Sequence, residues 1–421
     1  MMTIIETLRA HSQVSDYKIN VSKKESCELF FVKGRLETVR RTDTCDREVT
    51  VYVDHDGCKG DAQFFVYPST TQEQLDALVS EAAAKALLIG NKNYELPGCE
   101  EAGYEVESNF AQYSPLELAA KVAAAVEKAN NVDNADLNAV EVFINKYTET
   151  VVNSRGLNKT QVRYGAMVEA IPTYNGEEQS VELYEQYNFG DFDEAAIVRE
   201  ISERMAEVKA RCEAVKPEAK LEGSVVLGPL ELASLFMRVA FNLNYSAVYS
   251  HSNLFKKGDR LQKQPEGDLI SIEMAGEIKG CASSSKFDAD GLSLGSVSLV
   301  KDGVVENYFG SNRFGQYLGE APTGDMRCMK VSGGSVKEIE GSYLEVLSMS
   351  GLQVDFFNDY IGGEVRLAYW HEGDKVTPVT GVAISGKLSE VLNHIRLSEE
   401  TAVYNGYSGP AKAVLTHMAI F

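Results

Sequence analysis

The sequence has no apolar run as long as a membrane helix, which needs about 18 to 20 residues. Its seven cysteines show neither Cys-x-x-Cys nor the spacing of a zinc ribbon, and their odd number does not suit a disulfide framework. We therefore expect reduced thiols and no membrane insertion. The first residues lack the basic start, apolar core and cleavage site of a secretory signal, which predicts a cytoplasmic location.

Basic residues are also scarce. The 421 residues include 41 Lys and Arg against 62 Asp and Glu, a formal net charge of −21. Such a charge repels phosphate backbones and anionic lipids, so the composition argues against direct binding of nucleic acid or membranes. With 44% hydrophobic and 24% charged residues, the chain has the composition of a folded globular protein.

The first part of the sequence has the pattern of an antiparallel sheet. Apolar residues tend to alternate from Tyr17 to Tyr67, and turns are predicted at Lys33-Gly34 and Asp56-Gly57. Alternation interrupted by such turns is typical of strands joined by hairpins. Further strands that extend the sheet are predicted in "AVEVFINKYTETVVNSRGL", "TQVRYGAMVEAIPTY" and "SVELYEQYNFG".

Three helices are predicted among these strands. Thr70 with Glu73, and Ser114 with Glu117, have the spacing of capping boxes, in which the first residue of each pair caps a helix. A longer helix is predicted from about Asp193 to Val215. Apolar spacing places a set of its residues on the inner face: Ile197, Val198, Ile201, Met205 and Val208.

The segment "EAVKPEAKLEG" combines charge, a proline and a glycine, which is typical of a linker between domains. We therefore predict two domains, 1–217 and 218–421. The predicted fold class is α+β. The first domain is expected to hold an antiparallel sheet with helices, and the second a mostly antiparallel, barrel-like sheet.

The second half is predicted to be mostly β after an opening strand, "SVVL", and the helix that follows it. One hairpin is predicted with its turn at Asp302-Gly303, and another with a solvated turn from His371 to Asp374. A short helix is expected around Leu388 to Ile395. The last segment, "AKAVLTHMAIF", predicts a terminal strand.

Several stretches, taken in order, resemble the TldD/PmbA family. The family was once labelled as modulators of DNA gyrase and is now regarded as cytosolic zinc metallopeptidases with non-catalytic partner subunits. The resemblance spans most of the chain and depends on the order and spacing of its segments. The matching segments are "VVNSRGL", "VVLGPLELASLF", "SNLFKKGDRL", "FDADGLSLGSVSLVKDGVVENYFGSNRFGQYLG" and "GGEVRLAYWHEGDKVTPVTGVAISGKLSEVL".

The resemblance implies where a metal site would lie. In catalytic members the helix after the Gly-Pro turn carries His-Glu-x-x-x-His, and a cysteine near the C-terminus completes the zinc ligands. The corresponding positions here are Met237, Arg238 and Asn242, which we expect on the inner face of the helix. A thioether, a permanent cation and an amide do not supply this chemistry. The last cysteine is Cys328, so the late ligand is missing as well.

Four other side chains are weaker candidates for a site. His251 follows the helix and has the chemistry of a ligand or a base. Asp288 and Asp290 have the spacing of paired carboxylates, although an acidic turn before a glycine is the commoner explanation. Cys281 with His251 is the one thiol and imidazole pairing that the second domain suggests.

The leading hypothesis is therefore a PmbA/TldE-like, non-catalytic subunit of a cytosolic metallopeptidase that degrades or processes short or unfolded peptides. The resemblance implies a heterodimer with a TldD-like catalytic subunit, or else a homodimer. Zinc is expected only in the catalytic partner, and neither a metal nor another cofactor is expected in this chain.

Two alternatives stay open. In the first, the chain is itself a peptidase whose metal or nucleophile is recruited from His251, Asp288, Asp290 or Cys281. In the second, it is a self-associating binding protein that regulates an unrelated partner. A link to gyrase would then run through protein contacts, because the charge of −21 disfavours DNA.

Overall fold

A computed structural model describes residues 2–177 and 179–421. Within these ranges the chain forms eight α-helices and three β-sheets, which confirms the predicted α+β class. No helix in the described ranges is long and apolar enough to cross a membrane. The predicted domain boundary at residue 217 stays a prediction.

The elements are numbered in chain order. The helices are α1 (Met2–Ala10), α2 (Gln72–Ala86), α3 (Pro115–Lys128), α4 (Glu194–Glu213), α5 (Pro229–Asn242), α6 (Tyr245–Tyr249), α7 (Asn312–Leu318) and α8 (Leu388–His394). The first eight strands are β1 (Asp16–Val32), β2 (Arg35–His55), β3 (Cys58–Phe65), β4 (Glu100–Glu105), β5 (Ala135–Asn153), β6 (Leu157–Asn175), β7 (Ser180–Glu182) and β8 (Glu185–Phe189). The others are β9 (Ser224–Leu227), β10 (Ile272–Ala275), β11 (Ser296–Lys301), β12 (Val304–Val305), β13 (Cys328–Val331), β14 (Tyr343–Met349), β15 (Gln353–Asp355), β16 (Tyr360–Glu372), β17 (Lys375–Val379), β18 (Val382–Lys387), β19 (Arg396–Leu397), β20 (Thr401–Tyr404), β21 (Tyr407–Pro410), β22 (Ala413–Leu415) and β23 (Met418–Ile420).

The first sheet has the strand order β3-β2-β1-β5-β6-β4, and β7 and β8 also pair with β6. The predicted turns are confirmed: Lys33-Gly34 joins β1 to β2, and Asp56-Gly57 joins β2 to β3. All four of these residues have positive φ, between 48° and 76°, the left-handed conformation that two-residue hairpins require. The predicted meander therefore forms one edge of this sheet.

Two capping boxes begin helices on this sheet. Ser114 and Glu117 cap α3 as predicted. The box at α2 lies one residue later than predicted, at Thr71 and Gln74. The reason is that the hydroxyl of Thr70 accepts a hydrogen bond from the backbone N–H of Tyr67 instead, at 3.0 Å.

The long predicted helix corresponds to α4, which is capped by Asp193. Its predicted inner residues are buried except Val198, which is half-buried. With α3, it packs on apolar side chains of β1, β5 and β6, while α1 and α2 cover the part of the sheet formed by β1 to β3. This arrangement buries one face of the sheet, which is antiparallel as predicted except that β4 runs parallel to β6.

The second half of the chain holds two sheets rather than one. One has the order β12-β11-β10-β13-β21-β20, and the other β19-β22-β9-β14-β16-β18-β23, with β15 and β17 paired to β16. The turn at Asp302-Gly303 and the helix near residues 388–395 are confirmed. The sequence pattern did not predict α7.

Two predictions in this half need correction. His371 lies within β16 rather than in a solvated turn, because its ring stacks on Tyr343 at 4.2 Å and hydrogen-bonds Glu345 at 2.9 Å. The turn itself is formed by Gly373 and Asp374. The predicted terminal strand is divided into β22 and β23, which pair with different strands, β9 and β18.

A polar contact joins the first sheet to the segment between β10 and β11. Lys18 of β1 pairs with Asp290 at 2.5 Å, and the buried ammonium of Lys159 on β6 donates to Ser293 at 2.8 Å. The buried amide of Gln161 accepts a hydrogen bond from the backbone N–H of Lys286 at 2.8 Å. The same segment inserts a buried phenylalanine, Phe287, between apolar side chains of the sheet.

We expect Gln161→Ala to lower the free energy of unfolding by about 1 to 3 kcal/mol, because it leaves the N–H of Lys286 without its acceptor. Urea denaturation measures the change. Gln63→Ala is the matched control, because Gln63 is exposed on β3, and its effect should stay within about 0.5 kcal/mol. Equal effects of the two substitutions would contradict this account of the contact.

Candidate functional site

The helix α5 begins directly after the central strand β9. Gly228 precedes it in an extended conformation, and Pro229 occupies its first turn, where the fixed φ and missing N–H of proline suit a helix start. Apolar side chains then recur at helical spacing and pack into the core of the second half. The helix contacts β10, β20 and β21 of one sheet and β9 of the other. The buried apolar residues are Leu232, Leu235, Phe236, Val239 and Ala240.

The prediction that the three motif positions face inward is wrong for Met237 and Arg238. Met237 is 39% exposed, and Arg238 is exposed as well. The buried stripe lies on the opposite side of the helix, so these residues share the outer face with Leu230, Ser234 and Phe241. A side chain on this face can contact a molecule outside the chain.

The third position, Asn242, points inward and has a structural role. It is 9% exposed, and its amide donates a hydrogen bond to the carbonyl of Arg238 at 3.1 Å. Its side-chain oxygen accepts a hydrogen bond from the backbone N–H of Leu254 at 3.2 Å. Asn242 thus fastens the end of α5 to the loop after α6.

The three motif positions of α5 do not fit a catalytic zinc ion. Zinc sites are built from imidazole, thiolate and carboxylate ligands. Met237 offers a thioether, Arg238 offers a permanent cation that repels a dication, and the amide oxygen of Asn242 already accepts a hydrogen bond. These side chains therefore support no metal-dependent step at this helix.

The first turn of α5 borders a cleft of about 440 Å³ shared with α4 and β14. Glu231 lies at this cleft and is 5% exposed. Burial raises the pKa of Glu231 to about 7, and the charge of Arg204 offsets this only in part. Arg204 itself forms an ion pair with Glu207 at 2.6 Å. The cleft therefore holds a carboxyl group that changes charge near neutral pH.

The carboxylates of Asp288 and Asp290 shape the loop that docks on the first sheet. Asp288 accepts hydrogen bonds from the backbone N–H groups of Asp290, Leu292 and Asp325, at 2.9, 3.0 and 3.1 Å. Burial and the neighbouring charge of Asp290 raise the pKa of Asp288 to about 6. Asp290 pairs with Lys18 instead of facing Asp288 as a second catalytic carboxylate.

The other two candidates, His251 and Cys281, lie in different environments. His251 is exposed, with a φ of 56°, at the end of α6. Cys281 is buried, and its thiol lies 3.8 Å from the sulfur of Cys328 and 2.6 Å from the carbonyl oxygen of Asn405. The thiol of Cys281 thus has neighbours other than His251.

The fold around α5 matches known structures along the whole chain. TldE from Thermococcus kodakarensis has a TM-score of 0.81 and 16% identity, over 99% of both chains. A protein from Thermotoga maritima, described as a proposed modulator of a DNA gyrase, has a TM-score of 0.75 at 15% identity over 96% of both chains. A protein so described from Bacteroides thetaiotaomicron has a TM-score of 0.75 at 14% identity, over 100% of this chain and 97% of its own. These similarities establish the fold.

The sequence comparison assigns the family. Residues 221–420 match the profile of the PmbA/TldA metallopeptidase C-terminal domain. A relative from Haemophilus influenzae, described as a metalloprotease PmbA homolog, is 25% identical over 36% of this chain and 37% of its own length. Fold and profile together define a metallopeptidase-related protein. Over residues 221–420 the chain belongs to the PmbA/TldD family.

The sequence pattern missed Glu231 as a member of the site. A glutamate in the first turn of a helix is usually explained by the helix dipole, so its burial is not expected. The available signal was that Glu231 falls on the apolar side of α5, next to Leu232 and four residues before Leu235. Arg204 and Glu207 are contributed by α4, which no local pattern connects with α5.

We expect Glu231→Gln to stabilise the protein at pH 8 and to change little at pH 4. The unfolded carboxyl loses its proton near 4.5 and the folded one near 7, so rising pH destabilises the wild type across this window. The gap corresponds to roughly 3 kcal/mol above pH 7, an upper limit for the gain. Urea denaturation at both pH values measures it.

The control for this experiment is Glu203→Gln. Glu203 lines the same cleft but is 55% exposed, so its substitution should have a small effect at both pH values. A gain from Glu231→Gln that is the same at pH 4 and pH 8 would show that burial does not raise the pKa of Glu231.

Proposed function

We propose that this chain is a non-catalytic subunit of a peptidase assembly, paired with a TldD-type subunit that retains His-Glu-x-x-x-His. One observation carries the proposal. The helix that would hold the zinc site is kept in the core, while Met237, Arg238 and Asn242 replace its ligands and base. The helix is therefore retained without the chemistry of catalysis.

The side chains themselves support this role. A general base must accept a proton, and the guanidinium of Arg238 stays protonated at any physiological pH. The side-chain oxygen of Asn242 already accepts the hydrogen bond from Leu254 that holds the loop after α6. Restoring a zinc site would thus require changes on both the outer face and the buried end of α5.

The outer face of α5 supports a contact with peptide in a chamber shared with the partner. Leu230, Met237 and Phe241 expose 48%, 39% and 60% of their surface on this one face. Exposed apolar groups that lie together favour the binding of unfolded chains, whose own apolar side chains are accessible. Arg238 lies among them and supplies a cation that can hold a carboxylate of the peptide.

We expect this protein to form a stable 1:1 complex with the TldD-type chain of the same organism. Co-expression with an affinity tag on either chain, followed by size-exclusion chromatography and mass measurement, tests this. The control is each chain expressed alone. If this chain elutes only as a homo-oligomer in the presence of the partner, the heterodimer is excluded and a self-associating binding protein is favoured.

We expect Phe241→Ser to raise the KM of the assembled pair for an unfolded peptide several-fold, with kcat largely retained, because it removes apolar contact outside the reacting centre. Steady-state cleavage of a fluorogenic peptide measures both constants. Leu88→Ser is the matched control, since Leu88 is 83% exposed far along the sequence from α5. If Phe241→Ser and Leu88→Ser give the same KM as the wild type, the outer face of α5 does not bind peptide.

A further inference from the structure

The cleft at the first turn of α5 carries an excess of negative charge. Of the described residues that line its volume of about 440 Å³, six are glutamates and two are basic, Arg204 and Lys412. When all six glutamates are ionised, four negative charges in the cleft have no matching cation. The glutamates are supplied by β8, α4, α5 and β14: Glu185, Glu200, Glu203, Glu207, Glu231 and Glu345.

The two basic residues are already paired. Arg204 lies within hydrogen-bond distance of one carboxylate, that of Glu207, at 2.6 Å. Three further carboxylates of α4 and β8 lie 3.8 to 3.9 Å from its nitrogens, so one guanidinium is shared by four acidic groups. Lys412 pairs with Glu345 at 2.5 Å. The excess of negative charge therefore lies on the side of the cleft formed by α4 and α5.

Glu231 is the carboxylate in the cleft that lacks a cationic partner. It is 5% exposed and lines the cleft. Among the described residues, its carboxylate accepts a hydrogen bond only from its own backbone N–H. A buried carboxylate without a partner costs free energy, which a cation bound in the cleft would offset. Glu231 is thus an observation separate from the charge of the cluster, and it indicates the same kind of ligand.

The spacing of the glutamates does not suit a single metal ion. Among the described residues, no three carboxylates of the cleft have oxygen atoms within 4.8 Å of one another. A Mg²⁺ or Ca²⁺ ion gathers its oxygen ligands at about 2.0 to 2.6 Å, which requires closer groups. A cation that matches this spacing carries its charges along a chain. The rings of Tyr369 and Tyr404 also line the cleft, and their faces suit ammonium and methylene groups.

We propose that this cleft binds an extended organic polycation, whose alkylammonium groups pair with different glutamates and one of them with Glu231. A free polyamine and a lysine-rich segment of a peptide both carry this chemistry. The volume of the cleft lies in the range of about 300 to 1,000 Å³ that is typical of small-ligand sites. Leu230 lines both the cleft and the outer face of α5, so a peptide on that face can reach the cleft. The site is separate from the motif positions and does not depend on the proposed function.

The test is calorimetric titration of the full-length chain at pH 8, above the pKa of Glu231. The two probes are spermidine and the amide of tetralysine. We expect saturable binding of at least one probe, with one molecule per chain. Butylamine, which carries a single charge, should bind at least tenfold more weakly than that probe. Binding of spermidine alone assigns the site to a free polyamine, and binding of tetralysine amide alone assigns it to a peptide.

Glu231→Gln should weaken binding of the probe about tenfold or more, because it removes the buried partner of one ammonium group. Glu200→Gln should weaken binding several-fold, since the side chain of Glu200 is 24% exposed. The matched control is Glu73→Gln, which changes the net charge by the same amount. Glu73 also lies in the first turn of a helix, α2, but it is exposed and outside the cleft, so its substitution should leave binding unchanged.

The absence of saturable binding of both probes would overturn the proposal. Equal weakening by Glu231→Gln and Glu73→Gln would overturn it too, because the probe would then respond to net charge alone. Binding of MgCl₂ with the same affinity as the probe would show a site for metal ions instead. Melting curves check that each variant is folded, and Glu200→Gln carries the test if Glu231→Gln is not.

Discussion

The packing of α5 between two sheets is the constraint on which the site depends. Its apolar stripe is buried against strands of both sheets, and Gly228 with Pro229 fixes where the helix begins. Because the buried stripe and the first residue of the helix are both fixed, the set of side chains that face outward is fixed as well. Met237 and Arg238 are therefore presented on the surface for a structural reason, whatever chemistry they carry.

The helix α5 is packed in the core but carries no zinc ligands. Its structural role and its chemistry can therefore be considered separately. A buried apolar core positions α5, and the hydrogen bond between Asn242 and Leu254 holds the loop that follows. The side chains at Met237, Arg238 and Asn242 do not supply zinc ligands or a general base. This separation agrees with the proposed role, in which the subunit supplies surface and the partner supplies the reaction. The acidic residues of the cleft near Glu231 add a group whose charge changes near neutral pH.

Local sequence signals predicted much of the fold. Alternation, the Lys33-Gly34 and Asp302-Gly303 turns and the cap at Ser114 depend on near neighbours, and the structure has all of them. The resemblance to the family located α5 as well, because it also depends on short segments of sequence taken in order. The error of one residue at α2 arose because two adjacent threonines compete for the cap.

Features that join distant segments were not predictable. Gln161 bonds to a loop 125 residues away, and His394 meets His417 only because β23 pairs with β18. The orientation of Met237 and Arg238 was wrong because a motif fixes positions along a helix but not which face is buried.

The most direct measurement of the central claim is the rate of peptide cleavage by this chain alone, by its TldD-type partner alone and by the pair. The account predicts no cleavage by this chain under any metal supplement, and faster cleavage by the pair than by the partner. It also predicts that replacing the motif glutamate of the partner abolishes the activity of the pair. Cleavage by this chain alone, or by a pair whose partner lacks that glutamate, would contradict the account.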